Sequence, residues 1–125
     1  MDPLKTNAIA EVVKMIEDYV NALQNKDVEA LKSIFHPAAN FFFYREGKLN
    51  GVGIDFLFNM VANQQGEVKQ IKYCITSTTM SGKIASAALD IPDLMGVHII
   101  DMFTLTKDGE KWLIASKVSY RPDEV

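Results

Sequence analysis

The residues of this chain best suited to chemistry are two histidines, one cysteine, and one aspartate set inside an apolar strand pattern. His36 and His98 are the side chains whose ordinary titration falls near neutrality. Neither has a carboxylate beside it at ligand spacing, and a single cysteine cannot build a thiolate cluster, so no metal site is expected. Cys74, between Tyr73 and Ile75, reads as a small buried hydrophobe rather than a nucleophile. Asp101 is different. By strand alternation Val97, Ile99, Phe103 and Leu105 share its face. A carboxyl group in that company loses hydration, so it either holds a proton or accepts hydrogen bonds from a core Tyr or Trp. His98 has the opposite parity and is a poor partner for it. Tyr19, on a helical stripe, can either fill the core or reach a buried acid.

The elements that must position these groups are legible from period. Ile9, Val12, Val13, Ile16, Tyr19, Val20 and Leu23 recur at three-to-four spacing, which predicts an amphipathic helix over 7–25 with Thr6 as its N-cap. Asp27 caps a second helix that buries Val28, Leu31, Ile34 and Phe35, and His36-Pro37 ends it. At that exit His36 is expected to cap the helix end. Asn40 to Tyr44 predicts a strand, Arg45 to Lys48 a turn, and Leu49 to Val52 a short return strand. A third helix is expected over 53–65, stopped by Gly66. Long strands follow over 68–79, 83–91, 97–107 and 111–120, with Ser81-Gly82 and Asp108-Gly109 as hairpin turns. Helices followed by a run of strands give an α+β class, with three N-terminal helices packed on a strongly curved antiparallel sheet, a cone-shaped α+β barrel. A cavity between helices and sheet follows from that geometry.

Length and composition narrow the function classes. The chain has 125 residues, room for one domain spanning 1–125. Its net charge of -3 argues against nucleic acid, which normally meets a basic face. No apolar run approaches the roughly 18 residues that span a bilayer, and Met1-Asp2-Pro3-Leu4-Lys5 lacks the features of a signal peptide. A soluble cytoplasmic domain, free of nucleic acid and membrane, is therefore expected.

Three stretches carry a resemblance: Tyr19-Val20-Asn21-Ala22-Leu23 through the Asp27-capped helix to Leu31; Phe35-His36-Pro37-Ala38-Ala39; and Ile100-Asp101-Met102-Phe103-Thr104-Leu105 through Lys107-Asp108-Gly109-Glu110-Lys111-Trp112-Leu113-Ile114. With the order of elements they make the chain resemble the nuclear transport factor 2-like superfamily, a cystatin-like fold that includes ketosteroid isomerase, scytalone dehydratase and SnoaL-type cyclases. It looks closest to a small bacterial branch labelled lumazine-binding. In ketosteroid isomerase a strand Asp and a first-helix Tyr form the oxyanion hole. The resemblance therefore implies Asp101 and Tyr19 as a catalytic pair. The isomerase's general base is a first-strand carboxylate, and the matching position here is Phe43. Steroid isomerisation by that route is not expected.

The leading expectation is a cofactor-free, small-molecule-binding domain whose apolar cavity takes an aromatic or pterin-like ligand. Asp101 and Tyr19 are its polar handles, and Phe41, Phe43, Phe103 and His36 the further residues offered to the ligand. One alternative is an isomerase, dehydratase or cyclase in which Asp101 and Tyr19 stabilise an enolate-like intermediate. Another is a scaffold without a ligand. His98, Ile100, Met102 and Thr104 make the opposite sheet face partly apolar, which predicts a homodimer packed through that face.

Overall fold

The computed structural model describes residues 3–124; Met1, Asp2 and Val125 lie outside the described residues, the first two being part of the chain start read above. Helix α1 (Pro3–Asn25) is followed by α2 (Val28–Ile34), strands β1 (Phe35–Arg45) and β2 (Lys48–Gly53), and helix α3 (Asp55–Ala62). Strands β3 (Cys74–Ser81), β4 (Ile84–Leu94), β5 (Val97–Asp108) and β6 (Lys111–Tyr120) complete the chain. The expected α+β class is observed, with two corrections to the sheet. Its order is β2-β1-β6-β5-β4-β3, so among the described residues β2 and β3 are free edges and the sheet is open. It is mixed rather than antiparallel, because β1 pairs with β6 in parallel.

Helix α1 begins at Pro3, a residue whose fixed φ suits the first helical turn, so Thr6 lies inside the helix and is not its cap. The helix ends in a Schellman turn. Lys26 takes the left-handed φ of 51°, and the Asp27 amide donates to the Ala22 carbonyl at 2.8 Å. Asp27 then caps α2 as expected, accepting from the Ala30 amide at 3.1 Å. Helix α2 stops at Ile34, and extended backbone starts at Phe35.

His36 therefore lies in β1, not at a helix end. Its Nδ1 accepts the Ala38 amide at 2.9 Å, inside the irregular stretch between Phe35 and Asn40 where β1 carries extra residues against β6. The strand expected from residue 68 starts only at Cys74, because the Gln24 side chain claims the preceding backbone. Gln24 Nε2 donates to the Val68 carbonyl at 2.7 Å, and Oε1 accepts the Ile71 amide. Cys74 itself is exposed on the edge strand rather than buried.

The core joins Val12, Ile16, Tyr19 and Val20 of α1 to the concave sheet face through Leu89, Ile91, Phe103, Leu105 and Ile114. Trp112 anchors one end, its Nε1 donating to Glu11 Oε2 at 3.1 Å.

Candidate functional site

An extra residue at Ala115 decides what faces the interior. Thr104 pairs with Ser116 and Leu105 with Ile114, so β6 carries one more residue than β5 at this point and its alternation reverses. Trp112 and Ile114 point inward before the bulge; Lys117 is buried after it. Two cross-strand rows result on the concave face. Phe41, Lys117 and Phe103 are register partners in one, and Phe43, Ser119, Asp101 and Leu89 in the other.

Asp101 and Lys117 are 1% and 3% exposed, the two buried charged side chains among the described residues. Lys117 Nζ lies 3.4 Å from Asp101 Oδ1 and donates to Ser119 Oγ at 2.7 Å. Ser119 Oγ donates in turn to Asp101 Oδ1, and Tyr19 Oη donates to Asp101 Oδ2 at 3.4 Å. The Lys117 ammonium also sits 4.1 Å from the centroid of the Phe41 ring, where the π face offers partial negative charge. Every buried polar side-chain atom among the described residues finds a partner. The apolar company expected of Asp101 is thus half the environment. A cation that strand alternation hides completes it.

These four groups lie at the floor of a cavity of about 130 Å³ between α1, α3 and the concave face. Phe41, Phe43, Leu57 and Val61 supply apolar wall, and Arg45 and Arg121 also line it. Of the residues singled out from sequence, Asp101, Tyr19, Phe41 and Phe43 meet here. Phe103 does not line the cavity. It packs edge-to-face beneath Tyr19, with ring centroids 5.1 Å apart. His36 also stays off the cavity, held in its local turn on β1. Lys117 and Ser119 escaped the sequence reading; their inward direction depends on the bulge.

Burial pushes the Lys117 amine below its ordinary 10.5, against which the Asp101 charge and hydrogen bond act to raise it. Burial first, then the Asp101 charge and hydrogen bond, push the Tyr19 phenol well above its ordinary 10.0. The consequence for stability has two signs. Between the depressed Lys117 value and 10.5 the unfolded chain binds more protons than the folded one, so this group makes stability rise with pH. Above 10.0 the folded chain holds the Tyr19 proton that the unfolded chain releases, so stability falls. Urea midpoints measured across alkaline pH are expected to lose the rising component in Lys117→Met and the falling one in Tyr19→Phe. Unchanged profiles would mean that neither group is buried as described.

Comparison with known proteins places this architecture. A family model described as "Putative lumazine-binding" matches residues 7–120. The chain belongs to that family. Among solved structures it is similar to a nuclear transport factor 2-like protein of unknown function from Shewanella baltica OS155, at 25% identity and TM-score 0.84, covering 95% of each chain. A second such protein, from Silicibacter pomeroyi DSS-3, is 27% identical with TM-score 0.84, over 92% of this chain and 96% of that one. A third, from Methylobacillus flagellatus KT, is 28% identical with TM-score 0.82, covering 92% of each. No curated protein matches. The expected superfamily and fold are thereby established. Among the described residues no helix is long and apolar enough to cross a membrane.

Proposed function

We propose that this domain binds a small aromatic molecule in the cavity between its helices and the concave sheet face. The observation that carries the reading is the Asp101–Lys117–Ser119–Tyr19 cluster at the floor of an otherwise largely apolar hollow. A buried ion pair is poor value for stability alone, since well-packed apolar residues of similar volume often do as well or better. Set beside flat aromatic walls, the same groups orient a ligand. The family's description names lumazine, a heterocycle with several acceptor atoms, and Lys117, whose three N–H groups exceed its two hydrogen-bond partners, is a suitable donor to such a compound.

The test is a thermal-shift screen against pteridines, flavins, phenols and aromatic acids, with Asp101→Asn and Tyr19→Phe beside the wild type. A compound at 100 times its dissociation constant adds about 2.7 kcal/mol, a shift of several degrees for a domain this size. The hit should weaken in both variants. A flat response from every class would reject ligand binding and favour the scaffold reading.

The enzymatic reading gains a base and loses an oxyanion hole. Lys117 is an amine with a lowered pKa inside the cavity, which the first strand could not supply. Yet Tyr19 spends its hydroxyl on Asp101, and Asp101 accepts from three neighbours, so neither is free to donate to an enolate oxygen. Binding accounts for the geometry better than turnover does.

We also propose a homodimer through the outer sheet face. Phe42, Val118 and Met102 are register partners across β1, β6 and β5, and all are exposed, Met102 at 61%. Tyr44 and Tyr120 stack edge-to-face beside them at 6.1 Å. Such a patch is normally covered in soluble proteins. Sedimentation at micromolar concentration should show a dimer that Met102→Lys with Val118→Lys converts to monomer. A monomeric wild type would end the proposal.

A further inference from the structure

The cavity's charges are distributed against the trend of the chain. Acids outnumber bases overall, 16 to 13, yet the lining holds Lys26, Arg45, Lys117 and Arg121 against Asp101 alone. Two of these cations are engaged. Lys26 donates to the carbonyls of Gln64 and Gly66, and Lys117 is paired with Asp101. The two arginines stand at the other end of the same strand pair. Phe41 is register partner to Lys117 and Phe43 to Ser119; continuing the parallel register brings Arg45 level with Arg121. Along this wall the inward series therefore runs from a buried ammonium, past two phenyl rings, to two guanidinium groups. Arg45 lies 5.4 Å from the Phe43 ring centroid and has no carboxylate partner among the described ion pairs. Arg121 meets Glu124 at 3.4 Å in a partly exposed pair, a type weak enough to exchange, and the guanidinium keeps donors free.

Resting on the small-molecule reading, we infer that the ligand is an aromatic acid: a ring against Phe41 and Phe43, an inner hydroxyl or carbonyl oxygen accepting from Lys117, and an anionic group held by Arg45 and Arg121. Three observations set these limits. The cavity of about 130 Å³ is close to the roughly 150 Å³ that takes up one benzene ring, so its inner part has room for a ring. The four-residue step from Lys117 to Arg121 separates their backbones by roughly 13 Å, and the Lys117 ammonium is held at Asp101 and Ser119, so ammonium and guanidinium groups meet different ends of a ligand. Guanidinium groups grip planar carboxylates through paired hydrogen bonds, and a cleft lined by one sign of charge concentrates the opposite sign.

The experiment compares 4-hydroxybenzoate with 4-hydroxybenzamide by calorimetric titration. The two share ring and hydroxyl and differ in the charge of the outer group. The wild type should bind the acid at least about tenfold more tightly. In Arg45→Gln with Arg121→Gln the affinity for the acid should fall to about that for the amide, so that the preference disappears. Equal binding of acid and amide by the wild type would overturn the inference, as would a preference that survives in the double variant. If neither probe binds while neutral aromatics of the thermal-shift screen do, the acid group alone is wrong. If no aromatic binds at all, the underlying reading has failed.

Discussion

Lys117→Met should lower the thermal midpoint by about 10 °C, and adding Asp101→Leu should recover most of that loss. The single change leaves the Asp101 carboxylate buried with Tyr19 and Ser119 as donors and no countercharge. Breaking one side of a buried pair costs about 3–5 kcal/mol, whereas replacing both sides by apolar groups is often neutral. With the side chains of Lys117 and Asp101 only 4% and 2% exposed, solvent does little to soften the cost, although two remaining donors put it at the lower end. About 3 kcal/mol corresponds to roughly 10 °C for a domain of this length. Calorimetry on the three proteins checks it. A double variant no more stable than Lys117→Met would show that the two charges are not coupled.

Phe103→Ala and Phe43→Ala should separate stability from binding. Phe103 is 1% exposed and wedged against Tyr19, so truncating it leaves a void and should cost about 3–5 kcal/mol in urea denaturation. Phe43 is half-buried, stacked on Phe56 at 5.4 Å with its outer side on the cavity. Its loss should cost clearly less stability while removing the wall that a ring would use. The outcome that would contradict this assignment is a Phe43→Ala protein that keeps full affinity for every hit of the screen.

The contrast between these two phenylalanines shows where a sequence can be read and where it cannot. Local signals held: the stripe of α1, the Asp27 cap, the Asp108-Gly109 turn, and the inward parity of Asp101 among apolar neighbours. Facing inward was not enough to distinguish Phe103, which lies under Tyr19, from Phe43, which lines the hollow. That difference is set by α1 crossing the sheet. Lys117 was hidden more deeply. Uninterrupted alternation from Trp112 and Ile114 sends it to the outer face, and only the extra residue at Ala115 turns it in. Parallel pairing of β1 with β6 joins segments some 75 residues apart and leaves no local trace. The His36-Pro37 pair points to a helix end yet lies inside β1, because a proline marks the end of a helix equally well whether a loop or a strand follows.

The most direct test of small-molecule binding is amide chemical-shift mapping of the wild type with the strongest screen hit. The binding account predicts perturbations gathered on Tyr19, Phe41, Phe43, Asp101, Lys117 and Ser119, with Met102 and Val118 of the outer face unmoved. Perturbations confined to the outer face would contradict it, because the ligand would then sit on the opposite side of the sheet from the buried polar cluster.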